Sequence, residues 1–445
     1  MRVICHLSFL LILMLPFGLH VDAQGPTYIK DVMPIIHTKC APCHRPNEAA
    51  PFSLITYEDV AKRASFIKDV VQRGYMPPWR PDNHYVEYGN DRSLTEKEKE
   101  TIIQWVSNKA PRGEGKESKA VIQQLQQGIT AFSRQPDLTL KTIDSYTLPG
   151  DNYERFVVYR IPFDLADSAN VEAIEFTSNN KRLVHHVNYS IHEVPQEIDI
   201  RSGPDMINLS EDDRTKYDAY LPFKKSITYY GGWIPGASAE TYPKGFGWVM
   251  PKRGVILLTV HYAPSAKEEE SVSGINLFFT KTPIERKVKV ISFGSAGIGE
   301  EQINPPLMIM PNTVKTFTLK LTNPGEDFSV MYVWPHMHLL GKSFKAYGVT
   351  PTGDTIRLTS IPDWDFRWQE IYRFKNLVRI PKGTRLHIEG TYDNTANNPF
   401  NPHKPPRIVY STGDMNSTSE MMTLMMVFLP YKEGDEKINL EEAKK

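Results

Sequence analysis

The sequence predicts a multidomain, mainly β protein in which one small all-α module is followed by two all-β, jelly-roll-like sandwich domains. Three observations carry this. The 445 residues, at roughly 150 per domain, amount to about three domains. Thirty-four prolines and 27 glycines, with 11% aromatic residues, favour short strands joined by many turns. Helical spacing of apolar residues is confined to the stretch before residue 112, and alternating runs fill the remainder. The chain is 40% hydrophobic and 23% charged, with 52 basic against 52 acidic residues. That composition excludes a disordered or fibrous protein, and it leaves no bulk charge to recruit nucleic acid or an anionic membrane.

The first element is an address. Arg2, the apolar run from Leu7 to Leu15 and the small-x-small site Val21-Asp22-Ala23 form the pattern of a secretory signal peptide over 1–23, cleaved near Ala23. The expectation is an exported protein, periplasmic or secreted. The mature chain is expected to have no membrane span, because no later apolar run approaches the ~18 residues needed to cross a bilayer. Cys5 leaves with the signal, so Cys40 and Cys43 are the only thiols of the mature chain.

Those two thiols lie in Cys40-Ala41-Pro42-Cys43-His44, the pattern of c-type haem attachment. Two thiols on one helical turn can add across the haem vinyl groups, and the next residue offers an imidazole to the iron. A zinc site would need a second ligand pair nearby, and a dithiol redox pair does not need the adjacent histidine. Between Met33 and Met206 the only methionine is Met76, in Gly74-Tyr75-Met76-Pro77-Pro78-Trp79. A thioether in a proline-stiffened loop suits the sixth iron position and electron transfer, with His37 or His84 as the alternatives. Tyr57 to Val71 has helical spacing, and Ser93-Leu94-Thr95-Glu96 opens a second helix running through Trp105. Residues 25–112 thus resemble a small class I cytochrome c.

Residues 113–134 change character. Pro111-Arg112-Gly113-Glu114-Gly115-Lys116 and the glutamine-rich stretch after it read as a solvated linker. Beyond it, Phe156 to Ile161, Val255 to His261, Asn276 to Thr280 and Leu386 to Tyr392 alternate between turn clusters. They predict β-sandwich domains over 135–285 and 286–435, ahead of a charged tail, 436–445.

Five histidines fall into three tight signatures: His185-His186 in Leu183-Val184-His185-His186-Val187-Asn188-Tyr189, His261 in Thr259-Val260-His261-Tyr262, and His336 and His338 in Trp334-Pro335-His336-Met337-His338. In a strand, residues i and i+2 share a face, so His336 and His338 can grip one metal. Adjacent His185 and His186 would need a bulge to do so. In this order the signatures resemble the copper type II, ascorbate-dependent monooxygenases, the family of peptidylglycine α-hydroxylating and dopamine β-monooxygenase, over roughly residues 135–432. Gly232-Trp233-Ile234-Pro235-Gly236, Asp365-Phe366-Arg367-Trp368-Gln369-Glu370 and Tyr392-Asp393-Asn394-Thr395 share the likeness.

The resemblance implies two copper ions. His185, His186 and His261 would hold the electron-relay copper, CuH. His336, His338 and Met421, the last in Gly413-Asp414-Met415-Asn416-Ser417-Thr418-Ser419-Glu420-Met421, would hold the oxygen-binding copper, CuM, and Met415 and Met422 stand close enough to compete for the thioether role. Three imidazoles suit either copper state, whereas two imidazoles and a soft thioether favour Cu(I).

The implied function is hydroxylation of a C–H bond with O2 by an exported monooxygenase. Its electrons would come from a periplasmic donor, an ascorbate-like reductant or redox protein, through the one covalently attached haem c. Peptide-amidating members bind a carboxylate where this chain has Trp334, Thr423 and Met425, so the substrate is expected to be a small apolar or aromatic molecule. The alternative is a haem-copper electron-transfer or copper-binding protein without hydroxylase turnover.

Overall fold

In the computed structural model, residues 25–441 are described apart from 128–131, 133, 212–213, 238, 324 and 412–416. The signal segment 1–23 and Met415 therefore lie outside the described residues. The protein is mostly β-sheet, 38% strand against 17% helix, and no helix among the described residues is long and apolar enough to cross a membrane.

The N-terminal part is helical. Segments Tyr28–Val32, Met33–Ile35 and Ile36–Cys40 run on without a break and deliver the chain to Cys40-Ala41-Pro42-Cys43-His44. The expected helix from Tyr57 is two pieces, Tyr57–Ala61 and Ala64–Gln72, and the later helix is Glu96–Ser107. Its capping box is Thr95 with Glu98, two residues beyond the predicted frame, since the threonine hydroxyl accepts the Glu98 N–H and the Glu98 carboxylate accepts the Thr95 N–H. Trp105, Tyr28, Val60, Ile67 and Ile102 close the core between these pieces.

The expected linker contains a helix. Lys119–Gln127 is helical, and its Leu125 is buried against Ala41 and Ile55, beside the cysteines. A polar, glutamine-rich sequence hides this because one buried leucine is enough to dock a short helix. Arg214–Lys225 is likewise helical, where only strands were expected, and it drives Tyr220 and Phe223 into a small core with Ile207 and Leu257.

Two β units follow. In the first, a sheet ordered Leu138–Lys141, Ser273–Phe279, Ala169–Ser178, Phe246–Met250, Arg286–Lys287 faces a sheet ordered Met206–Asn208, Arg155–Asp164, Arg253–Tyr262, Val184–Glu193, Ile227–Trp233. Ile174, Phe176, Ile275 and Leu277 of one meet Val187, Tyr189, Ile256 and Leu258 of the other in a common core. In the second, Lys289–Gly294, Thr423–Pro430, Phe328–His336 and Tyr372–Ile380 form one sheet, and Val314–Thr322, Arg385–Asp393, Gly341–Val349 and Thr355–Ile361 the other. The passage between units falls between Lys287 and Lys289.

The first sheet of the second unit is covered on both faces. Val333, Leu424 and Met426 enter its own core, while Met331, Leu377 and Leu429 join the core of the first unit. The expected charged tail contributes as well: Leu440 is 1% exposed in that shared core, and its N–H donates to the Lys375 carbonyl.

Candidate redox site

The site begins with a ladder irregularity. Strand Arg253–Tyr262 pairs with Val184–Glu193 so that His261 stands opposite His186 and Tyr262 opposite Val184, which leaves His185 as an extra residue in a β-bulge. The bulge brings two neighbouring imidazoles to one side. The three Nδ1 atoms of His185, His186 and His261 lie 3.2, 3.2 and 3.3 Å from one another. The point equidistant from three corners so spaced is about 1.9 Å from each (side divided by √3), close to the ~2.0 Å of a metal–imidazole bond. His261 is oriented from behind: its Nε2–H donates to Glu154 at 2.9 Å, and its ring stacks on Phe156, the residue opposite it on strand Arg155–Asp164, at 3.9 Å and 11°. Burial pushes the Glu154 carboxyl up, but the hydrogen bond and charge of His261 and the bond from Ser417 outweigh it and hold it down to about 2.

The second group differs from the expected strand geometry. The strand ends at His336, so His338 is held by other means. Its N–H donates to the Glu420 carboxylate at 2.9 Å, and its Nδ1–H to the Ser419 carbonyl at 2.9 Å. His336 Nδ1–H donates to Gln369 Oε1. Both rings, 5.0 Å apart, thus keep Nε2 for a metal. Met421 follows the two residues that hold His338; it is buried but belongs to none of the apolar cores. Met422 points the other way, into the core against Gly390, which removes it as a competitor.

Phe366 joins the two groups. Its ring lies 5.8, 6.4 and 6.2 Å from His185, His186 and His261 and 5.8 Å from His338. Burial, reinforced by neighbouring imidazoles, pushes His185 and His338 down to about 3, and burial pushes His336 down to about 4. All are therefore neutral at pH 7 and able to ligate.

On the other side of His185 is a cavity of about 420 Å³, within the range of cofactor pockets. Cys40, Cys43, His44 and Met76 line it with an apolar wall that includes Phe52 and Val70, and His185, Arg367 and Trp368 close it from the β units. His44 Nδ1–H donates to the Phe52 carbonyl at 3.0 Å, leaving Nε2 free. His37 is bonded to the Ile55 carbonyl, and neither it nor His84 lines the cavity, so Met76 alone of the three candidates faces it. Gly236, at φ 78°, lets the Trp233–Gly236 turn lie against Cys43 Sγ, where a side chain would collide. Among the described residues, His185, His186 and His261 are grouped so that they could hold a metal ion.

Trp334, behind the expectation of an apolar pocket, is 7% exposed between the β units against Gly232 and Tyr230. It lines neither this cavity nor a second, polar one of about 480 Å³ on the far side of the Cys40–Cys43 turn. Glu154, Phe156 and the separate roles of Phe366 and Gln369 carry no signal in sequence spacing, because cross-strand and loop contacts create them.

No protein-family model matches the chain, and no curated protein matches it. Among solved structures, that of infectious bursal disease virus Gx strain is matched at 10% identity over 68% of this chain and 74% of that one, with a TM-score of 0.16. The Gt strain of the same virus gives 12% identity, 68% and 83% coverage, and a TM-score of 0.14. At such scores the likeness carries no statement about fold or function.

Proposed function

We propose that this chain is an exported copper-dependent monooxygenase with an attached haem c, which hydroxylates a C–H bond of a small molecule with O2. On this reading 25–112 is a cytochrome c-like module. The two β units are jelly-roll-like copper domains, one built on His185, His186 and His261 and the other on His336, His338 and Met421. The supporting observation is a convergence: two groups of imidazoles meet across Phe366, and one of them shares a wall with the Cys40/Cys43/His44/Met76 cavity.

When bound, the metals and haem would supply one-electron transfer and the reduction of O2. The residues supply the frame. Glu154, Gln369 and the Ser419 carbonyl fix tautomers, the Phe366 ring lies against both groups, and His185 forms a one-residue bridge from the cysteine cavity to the three-imidazole corner. Hydroxylation puts one oxygen atom into the substrate and releases the other as water, so two electrons and two protons must arrive from outside the substrate. A site walled directly onto an electron-carrying cavity suits that demand.

One observation favours the alternative of a haem-copper carrier without turnover: neither cavity beside Cys43 is lined by His336, His338 or Met421. Oxygen uptake by the loaded protein with a panel of small apolar and aromatic compounds separates the two. Uptake that depends on a compound and yields its hydroxylated product supports the monooxygenase; a reduced, fully loaded protein inert to the whole panel supports the carrier.

A further inference from the structure

We propose that Ser417, in the C-terminal β unit, is a positioning residue for the three-imidazole group of the N-terminal β unit, acting on His261 through Glu154. This rests on the proposed function, because it takes His185, His186 and His261 as a copper site. The corner itself is built from strands Val184–Glu193 and Arg253–Tyr262 of one unit, and Glu154 stands behind it. Glu154 precedes strand Arg155–Asp164, and its side chain is 40% exposed, so packing alone leaves a flexible carboxylate free to turn toward water. Two hydrogen bonds hold it. Its Oε2 accepts the His261 Nε2–H at 2.9 Å, and its Oε1 accepts the Ser417 hydroxyl at 2.6 Å, across 263 residues of chain.

Ser417 is a firm anchor, since it is only 3% exposed. A short bond from a hydroxyl to a carboxylate is among the stronger hydrogen bonds. With Oε1 held, Oε2 stays on His261, which fixes the tautomer and turns Nδ1 to the corner. Without Ser417 the carboxylate keeps one bond and can rotate about it. The residues just after Ser417 serve the other group: the Ser419 carbonyl and the Glu420 carboxylate hold His338, ahead of Met421. One short stretch of the C-terminal unit therefore sets an imidazole in each group, and the three-imidazole corner is completed from outside its own unit.

The test is a competitive chelator titration of copper on the full chain in wild type, Ser417→Ala, Glu154→Ala and the double variant. Ser417→Ala should weaken copper binding at the three-imidazole group about tenfold and leave the His336/His338 group unchanged, although Ser417 is close to Met421 in sequence. The double variant should lose no more than Glu154→Ala alone, because the serine acts through the glutamate. Unchanged affinity in Ser417→Ala, a loss at the His336/His338 group, or a loss that adds to that of Glu154→Ala would overturn this inference alone. A wild type that binds no copper at His185, His186 and His261 would overturn it together with the proposed function.

Discussion

At His44, His261, His336 and His338 the ring nitrogen turned away from the site is held by oxygen: the Phe52 carbonyl, Glu154, Gln369 and the Ser419 carbonyl. Such partners choose the tautomer and aim the other nitrogen, which is worth about 10–100-fold in metal affinity. Replacing Gln369 by Leu is expected to weaken copper binding at the His336/His338 group by about that factor and leave the three-imidazole group unchanged. A competitive chelator titration resolves the two sites; equal affinity in variant and wild type would show that Gln369 does not orient His336. The histidines themselves were legible in the sequence because their spacing is chemical. Glu154 was not, since an acid between turns looks like any other until the chain brings it to an imidazole, and Phe366 was visible only within the Asp365–Glu370 likeness, with no role attached to it.

Among the elements, the bulge at His185 matters most. A regular ladder would send His185 and His186 to opposite faces, and the sequence shows only that an irregularity is needed, not that the partner strand provides it between His261 and Tyr262. The helices of the N-terminal module were legible from periodicity, and the capping signal was found two residues from its true place. Helix Lys119–Gln127 was not legible, because its contact with the module depends on Leu125 and partly buried Ile122. Truncating Leu125 to Ala should cost about 2 kcal/mol by denaturant unfolding and speed hydrogen exchange across 119–127. A silent substitution would mean that the helix is not docked in solution.

For the molecule as a whole, the β units and the module are locked around residues 363–373. Arg80 binds Asp365 at 3.0 Å, Arg92 binds Glu370, and the Gly89 N–H donates to the Arg373 carbonyl at 2.8 Å. The β units are tied again where Arg286 grips Asp435 with two bonds of 2.8 and 2.7 Å. Burial pushes the Asp435 carboxyl up, but Arg286, the Ser329 hydroxyl and the Lys432 N–H outweigh it and hold it below the usual carboxylate range. Its stabilisation is therefore complete above the unfolded value, near pH 4, and is lost as pH falls through the depressed folded value. Asp435→Asn should cost about 3 kcal/mol at pH 7, and the gap from wild type should close in acid below about pH 4. A gap that is constant with pH would remove the ion pair from the account.

The central claim is that one continuous site joins a haem cavity to two copper groups. The most direct measurement is a pyridine haemochrome spectrum with copper stoichiometry on protein matured in an exporting host, for wild type and His336→Ala. The account predicts one covalent haem with two coppers, falling to one copper in the variant while the haem is retained. Haem without copper, zinc in place of copper, or no covalent haem would contradict it.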